Sequence, residues 1–110
     1  MEETLYDTSR LIKAYKKKEN IKGFTTIFNI IEFPKALEFD LIVLYPSKKD
    51  YKLALNISTK LLNIGKPIPA IDIIISAIAI NRKLKIITQD KHFLFVKEVI
   101  KDFKVKIENN

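Results

Sequence analysis

Short β-branched apolar runs recur along this 110-residue chain, and helical patterns separate them. "TLY" at 4–6, "LIVLYP" at 41–46 and "LKIIT" at 84–88 each read as a strand that stops at a turn or capping residue. The second and third are continuous apolar runs, as strands buried on both faces are. "KVKIE" at 104–108 alternates like an edge strand. Few architectures accept such an alternation of strand and helix. It predicts an α/β fold, a three-layer α/β/α sandwich with a mainly parallel central sheet, built as one domain over residues 1–110.

The helices follow from their caps and periods. Thr8 or Ser9 can cap a first helix with Leu11, Ile12 and Tyr15 on one face; Lys13, Lys16, Lys17 and Lys18 crowd its outside and last turn, and Gly23 ends the segment. Thr25 or Thr26 can cap a second, with Ile27, Phe28, Ile30, Ile31 and Phe33 nearly all round. That pattern predicts burial on most sides, with Glu32 in its midst and a kink or break at Pro34. "SKKD" at 47–50 resembles a capping box. The helix it opens carries Tyr51, Ala54, Leu55, Ser58, Leu61 and Leu62 on one side and stops at Gly65, a C′ glycine. Residues 68–80 form another helix, with Pro69 near its first turn, and a last one runs from about Lys91 to Asp102. The expected order is β-α-α-β-α-α-β-α-β.

The net charge is +7, nearly all of the positive charge being lysine. Such a chain is attracted to polyanions, nucleic acid above all, although lysine on solvated helix surfaces gives the same total. The absence of cysteine excludes disulfides, zinc–thiolate sites, iron–sulfur clusters and thiol catalysis, and fits a cytoplasmic setting. The greasiest window, Ile71 to Ile80, is shorter than the ~20 apolar residues that span a bilayer, and it carries Asp72 and Ser76. No membrane association is expected, and Met1, Glu2 and Glu3 do not open a signal peptide.

Sites in parallel sheets form beyond the carboxyl ends of the strands. Asp7 follows the first strand, Asp90 follows the strand ending at Thr88, and Asp72 lies in the first turn of a helix. With Glu32 they are the acids embedded in apolar sequence: "TLYDTS", "NIIEF", "PAIDIII" and "IITQD". A desolvated carboxylate gains a proton or finds a cation, and several together repel one another. A divalent ion relieves both problems, and oxygen ligands suit Mg²⁺ or Mn²⁺. Taken singly, Asp7 and Asp90 can be helix caps and Asp72 can complement a helix dipole. Thr8, Ser9 and Thr88 read as caps or supporting hydroxyls, and His92 as an exposed residue at a helix start. Glu19, Glu38, Asp40, Asp50, Glu98, Asp102 and Glu108 sit among lysines or at element ends and read mostly as surface.

"YDTSRLI" at 6–12, "TTIFNIIEF" at 25–33, "IPAIDIIISAIAI" at 68–80 and "IITQDKHF" at 86–93 resemble the motifs of PIN-domain ribonucleases, in order along the whole chain. In size the chain is similar to the VapC-like toxin of a VapBC-type toxin–antitoxin pair. The resemblance implies that Asp7, Glu32, Asp72 and Asp90 form an acidic metal-binding and catalytic set, supported by Thr8, Ser9 and Thr88. It implies cleavage of single-stranded RNA with Mg²⁺ or Mn²⁺, a homodimer, and an antitoxin partner. His92 stands where many members carry a further aspartate, and the stretch from Glu32 to Asp72 is shorter than usual. Arg10, Lys13 and Lys91, near the acids in sequence, are candidates to hold RNA phosphates. The competing reading is a binding module of the same fold without turnover; a phosphoryl-transfer receiver domain ranks third.

Overall fold

Leu5 and Tyr6 are neighbours on one strand, so their side chains leave it on opposite faces, and each joins a different core. In the computed structural model, which describes residues 3–109, that strand is β1 (Thr4–Tyr6). The reading of Met1 and Glu2 lies outside the described residues. After β1 come α1 (Thr8–Lys16), β2 (Lys22–Thr26), α2 (Ile27–Glu32), a 3₁₀ turn (Pro34–Glu38) and β3 (Asp40–Leu44). Then follow α3 (Lys48–Asn63), α4 (Ala70–Asn81), β4 (Lys85–Thr88), α5 (Phe93–Val99) and β5 (Lys104–Ile107). The five strands pair in the order β3-β2-β1-β4-β5, and every pairing is parallel.

On one face, Leu5 and Ile86 pack with Ile57, Leu61, Ile75, Ile78, Phe93 and Val96 from α3, α4 and α5. On the other, Tyr6, Leu41 and Val43 pack with Leu11, Ala14, Ile30 and Ala36 from α1, α2 and the 3₁₀ turn. The three-layer sandwich is therefore present, with a sheet that is parallel throughout.

The expected element order needs one correction. β2 was read as the end of one helical segment and the cap of the next, because Gly23 is a helix stop in sequence. Here Gly23 lies inside a strand with φ 140°, and a Cβ on it would come within 2.8 Å of the carbonyl oxygen of Thr4. The glycine permits the close approach of β2 to β1. With β2 present, α2 shortens to a six-residue helix capped by Thr26, and it ends before Pro34 as expected. Ile31 and Glu32 are exposed, so α2 is not buried on most sides, and Glu32 sits at its last position. β3 is likewise an edge strand rather than a fully buried one: Ile42 is 59% exposed. The final helix stops at Val99 and not at Asp102.

α3 rotates differently from its expected face. Ala54, Ile57 and Leu61 face the core, which leaves Tyr51, Leu55 and Leu62 outside. Both of its ends match the sequence. Ser47 and Asp50 form the capping box, and Gly65 closes a Schellman motif through its own N–H to Leu62 O and that of Lys66 to Leu61 O.

Asp50 is not a surface residue. It is buried, and its carboxylate accepts from Arg82 at 3.0 Å, Asn81 at 2.8 Å and the Ser47 amide at 2.8 Å. Burial pushes its acidity constant up, but Arg82, the Ser47 amide and Asn81 outweigh that and hold it at about 2. The group thus clamps the start of α3 to the end of α4.

Because the folded-state value lies below the ordinary 3.8, the clamp stabilises the fold above pH 3.8 and is lost as pH falls through about 2. An Asp50→Asn variant is expected to be less stable than the parent by about 2 kcal/mol at pH 7. Urea unfolding at stepped pH should show that gap narrowing between pH 4 and pH 2; a gap that does not change with pH contradicts the clamp.

Candidate metal centre

The strand order reverses at β1: the chain moves outward to β2 and β3, then crosses back to β4 and β5. In an open α/β sheet this leaves a crevice beyond the carboxyl ends of the two strands at the reversal. β1 ends in Asp7, and β4 ends in Thr88, two residues before Asp90. The Asp7 amide bonds Ile87 O at 3.1 Å, which fixes the two strand ends side by side.

Asp7 is buried at the N-cap position of α1, yet its side chain makes no capping bond. Instead Oδ1 accepts from Asn29 Nδ2 at 2.9 Å and Oδ2 accepts from Thr88 Oγ1 at 2.7 Å. The simple capping reading of Asp7 therefore does not hold. Thr88 has one hydroxyl proton, given to Asp7, so it accepts from the Asp90 amide at 3.0 Å and from Ser9 Oγ at 3.3 Å. Ser9 in turn accepts from the Gln89 amide at 2.9 Å. On the other side, Asn29 Nδ2 also donates to Thr8 Oγ1, and Thr8 donates to Glu32 Oε1 at 2.6 Å. One connected network thus runs from Glu32 through Thr8, Asn29, Asp7 and Thr88 to Ser9.

Asn29 is the residue that sequence reading missed. It is fully buried, and its side-chain oxygen accepts from the amide and hydroxyl of Thr26, which closes the capping box of α2. The signal was available: asparagine three residues after a capping threonine is a capping-box position.

Asp72 stands in the first turn of α4, half-buried. Burial first, then the charges of Asp7 and Asp90, raise its acidity constant from 3.8 to about 6; His92 opposes this and Glu32 adds to it. Burial also raises that of Asp7, against the hydrogen bonds from Thr88 and Asn29. Asp90 caps no helix side-on; its Oδ1 accepts the His92 amide at 2.9 Å in an Asx turn. His92 is half exposed at the N-cap of α5, with Nδ1 3.3 Å from Asp90 Oδ1.

One donor atom each from Asp72, Asp90 and His92 lie within 4.8 Å of one another. Two carboxylates and an imidazole fit a divalent ion, and the imidazole moves the preference from Mg²⁺ toward Mn²⁺. Asp7 and Glu32 act on Asp72 through their charge without joining that tight trio. Two of the proposed phosphate-holding cations are committed elsewhere. Arg10 is largely buried in ion pairs with Glu19 at 2.8 Å and Glu108 at 2.9 Å, and Lys13 lies 3.5 Å from Glu108. Glu108, expected at the surface, ties the exit of β5 to α1. Lys91 is exposed beside Asp90.

No family model and no curated protein matches the sequence. The fold does have matches: an all-parallel sheet in this order, flanked by helices, is the PIN-domain α/β fold. Its particular likeness is to chains of VapC-like toxin–antitoxin complexes. DNA-bound VapBC from Salmonella typhimurium aligns with TM-score 0.75 and 18% identity, over 97% of this chain and 98% of that one. VapBC-5 from Mycobacterium tuberculosis aligns with TM-score 0.70 and 17% identity over 100% of both chains. FitAcB from Neisseria gonorrhoeae aligns with TM-score 0.66 and 17% identity, over 93% of this chain and 95% of that one. Among the described residues no helix is long and apolar enough to cross a membrane.

The acids repel one another, so removing one charge should help the metal-free fold. In EDTA at pH 8, Asp72→Asn is expected to raise stability by about 1 kcal/mol, a value reduced for solvent screening. Mn²⁺ is expected to raise the Tm of the parent and not of the variant. Thermal melts check both; equal shifts with Mn²⁺ would remove Asp72 from the site.

Proposed function

We propose that the chain is a metal-dependent endoribonuclease that cleaves single-stranded RNA, and that it serves as the toxin of a toxin–antitoxin pair. The observation that carries this reading is the convergence of Asp72, Asp90 and His92 at the sheet reversal, next to a buried Asp7 whose orientation is held by two donors. The likeness to VapBC chains supports the toxin role and an antitoxin partner.

In this reading Asp7, Asp72 and Asp90, with His92, hold Mg²⁺ or Mn²⁺. When bound, such an ion acidifies a water and polarises a phosphate oxygen. The chain supplies the positioning. Thr88 and Asn29 orient Asp7 and leave it further lone pairs. Thr8 holds Glu32 at the exposed rim, where it can accept a proton from a water. Lys91 supplies a cation for the RNA backbone beside the acids. RNA as the substrate places the protein in the cytoplasm.

A homodimer also belongs to this reading. Tyr51, Leu55 and Leu62 form an apolar stripe on the outer face of α3, with Leu55 71% exposed. Beside it is a groove of about 350 Å³ between α3 and α4, lined by Ala70, Ile73 and Ile74. A second copy that packs this stripe into the groove covers both.

Two measurements test the proposal. A mixed single-stranded RNA should be cut with Mn²⁺ or Mg²⁺, more slowly by at least ~100-fold in Asp7→Asn or Asp72→Asn and not at all in EDTA. No cutting with any metal, together with retained RNA binding, favours a binding module. Sedimentation should give a dimer for the parent and a monomer for Leu55→Glu; a monomeric parent removes the dimer.

A further inference from the structure

The opposite edge of the sheet, where β4 and β5 begin and α4 and α5 end, holds a basic pocket that the metal centre does not use. Its volume is about 460 Å³. Leu84 lies at its floor, and Lys83, Lys97, Lys101, Lys104 and Asp102 surround it. Such a volume suits a small ligand.

Charge compensation within the fold does not account for this set. The carboxyl ends of α4 and α5 carry roughly half a negative charge each. Asp102 adds one more, against four ammonium groups, so roughly two positive charges remain. One of the four is held in place by the fold: the Lys97 ammonium donates to the carbonyls of Lys101 and Phe103.

Lys83 supplies an independent observation. It is the C′ residue of α4, with its N–H on Ile80 O and that of Leu84 on Ala79 O, the closure that Gly65 makes for α3. Its φ is 57°, in the left-handed region that glycine enters without a steric cost. A lysine stands there, on the pocket wall, at a position where glycine is the better fold former.

We propose that this pocket binds a phosphate-bearing anion with at least two negative charges. Ammonium groups bind phosphate as point charges, and four around one cavity select for charge more than for shape. The phosphates can come from a free polyphosphate ligand or from an RNA backbone, and the two sources are separable by experiment. The proposal does not depend on cleavage, since binding at this edge needs neither the acids nor a metal.

Calorimetric titration of the whole chain in EDTA tests it, with inorganic pyrophosphate as one probe and a short single-stranded RNA as the other. Lys83→Gly and Lys101→Ala are each expected to weaken binding roughly tenfold. Asp102→Asn is expected to tighten it, and Lys52→Ala, on the exposed face of α3, to leave it unchanged. Lys83→Gly should melt at or above the parent, so its loss of binding cannot come from a damaged fold. Loss for pyrophosphate assigns a free ligand; loss for RNA alone assigns the backbone. A parent that binds neither probe, or pocket variants that bind both as the parent does, would falsify the proposal.

Discussion

Asp7 is the group on which the carboxyl edge of the sheet depends. It is buried, and each of its carboxylate oxygens is taken by a side chain from a different element, Asn29 of α2 and Thr88 of β4. Those donors are themselves held, one by Thr26 and the other by Ser9 and the Asp90 amide. Ordering one carboxylate therefore orders the ends of two strands, the start of α1 and the turn that carries Asp90. A buried anion without such partners would be protonated or would disrupt the core.

Hydrogen bonds orient the acids but do not cancel their repulsion. Burial and the neighbouring negative charges still raise Asp72 to about 6. The two carboxylate clusters of this protein differ in this respect. Asp50 meets Arg82 and Asn81 and is held at about 2, a finished structural contact. Asp72 meets other acids and a half-exposed imidazole, an arrangement that lacks a cation of its own. The difference in partners separates a structural carboxylate from a candidate ligand better than burial does, since Asp50 is the more buried of the two.

Much of this was legible in the sequence. The runs at 4–6 and 84–88, the caps at Ser47 and Gly65 and the break at Pro34 are local features, and each appears where its residues place it. Sequence reading failed where a residue type has two uses. Gly23 was read as a helix stop, but its neighbour in space is the Thr4 carbonyl, which no local pattern announces. On α3, leucines lie on more than one face, and periodicity could not decide that Ile57 and Leu61 turn inward while Leu55 and Leu62 stay out. Arg10 and Lys13 lie close in sequence to the acids, but they point toward Glu108, about 100 residues away along the chain.

The sequence by itself determined the class of fold and the acids that matter, because strand and helix periods are local and because acids set in apolar sequence must be dealt with by any fold. Only the tertiary structure decided how those acids are arranged. It brought Asp72, Asp90 and His92 together, left Asp7 and Glu32 linked through Asn29 and Thr8, and buried Asp50 against Arg82. The physical reason is that strand register and helix rotation are set by packing between elements far apart in the chain, and a shift of one residue sends a side chain to the other face.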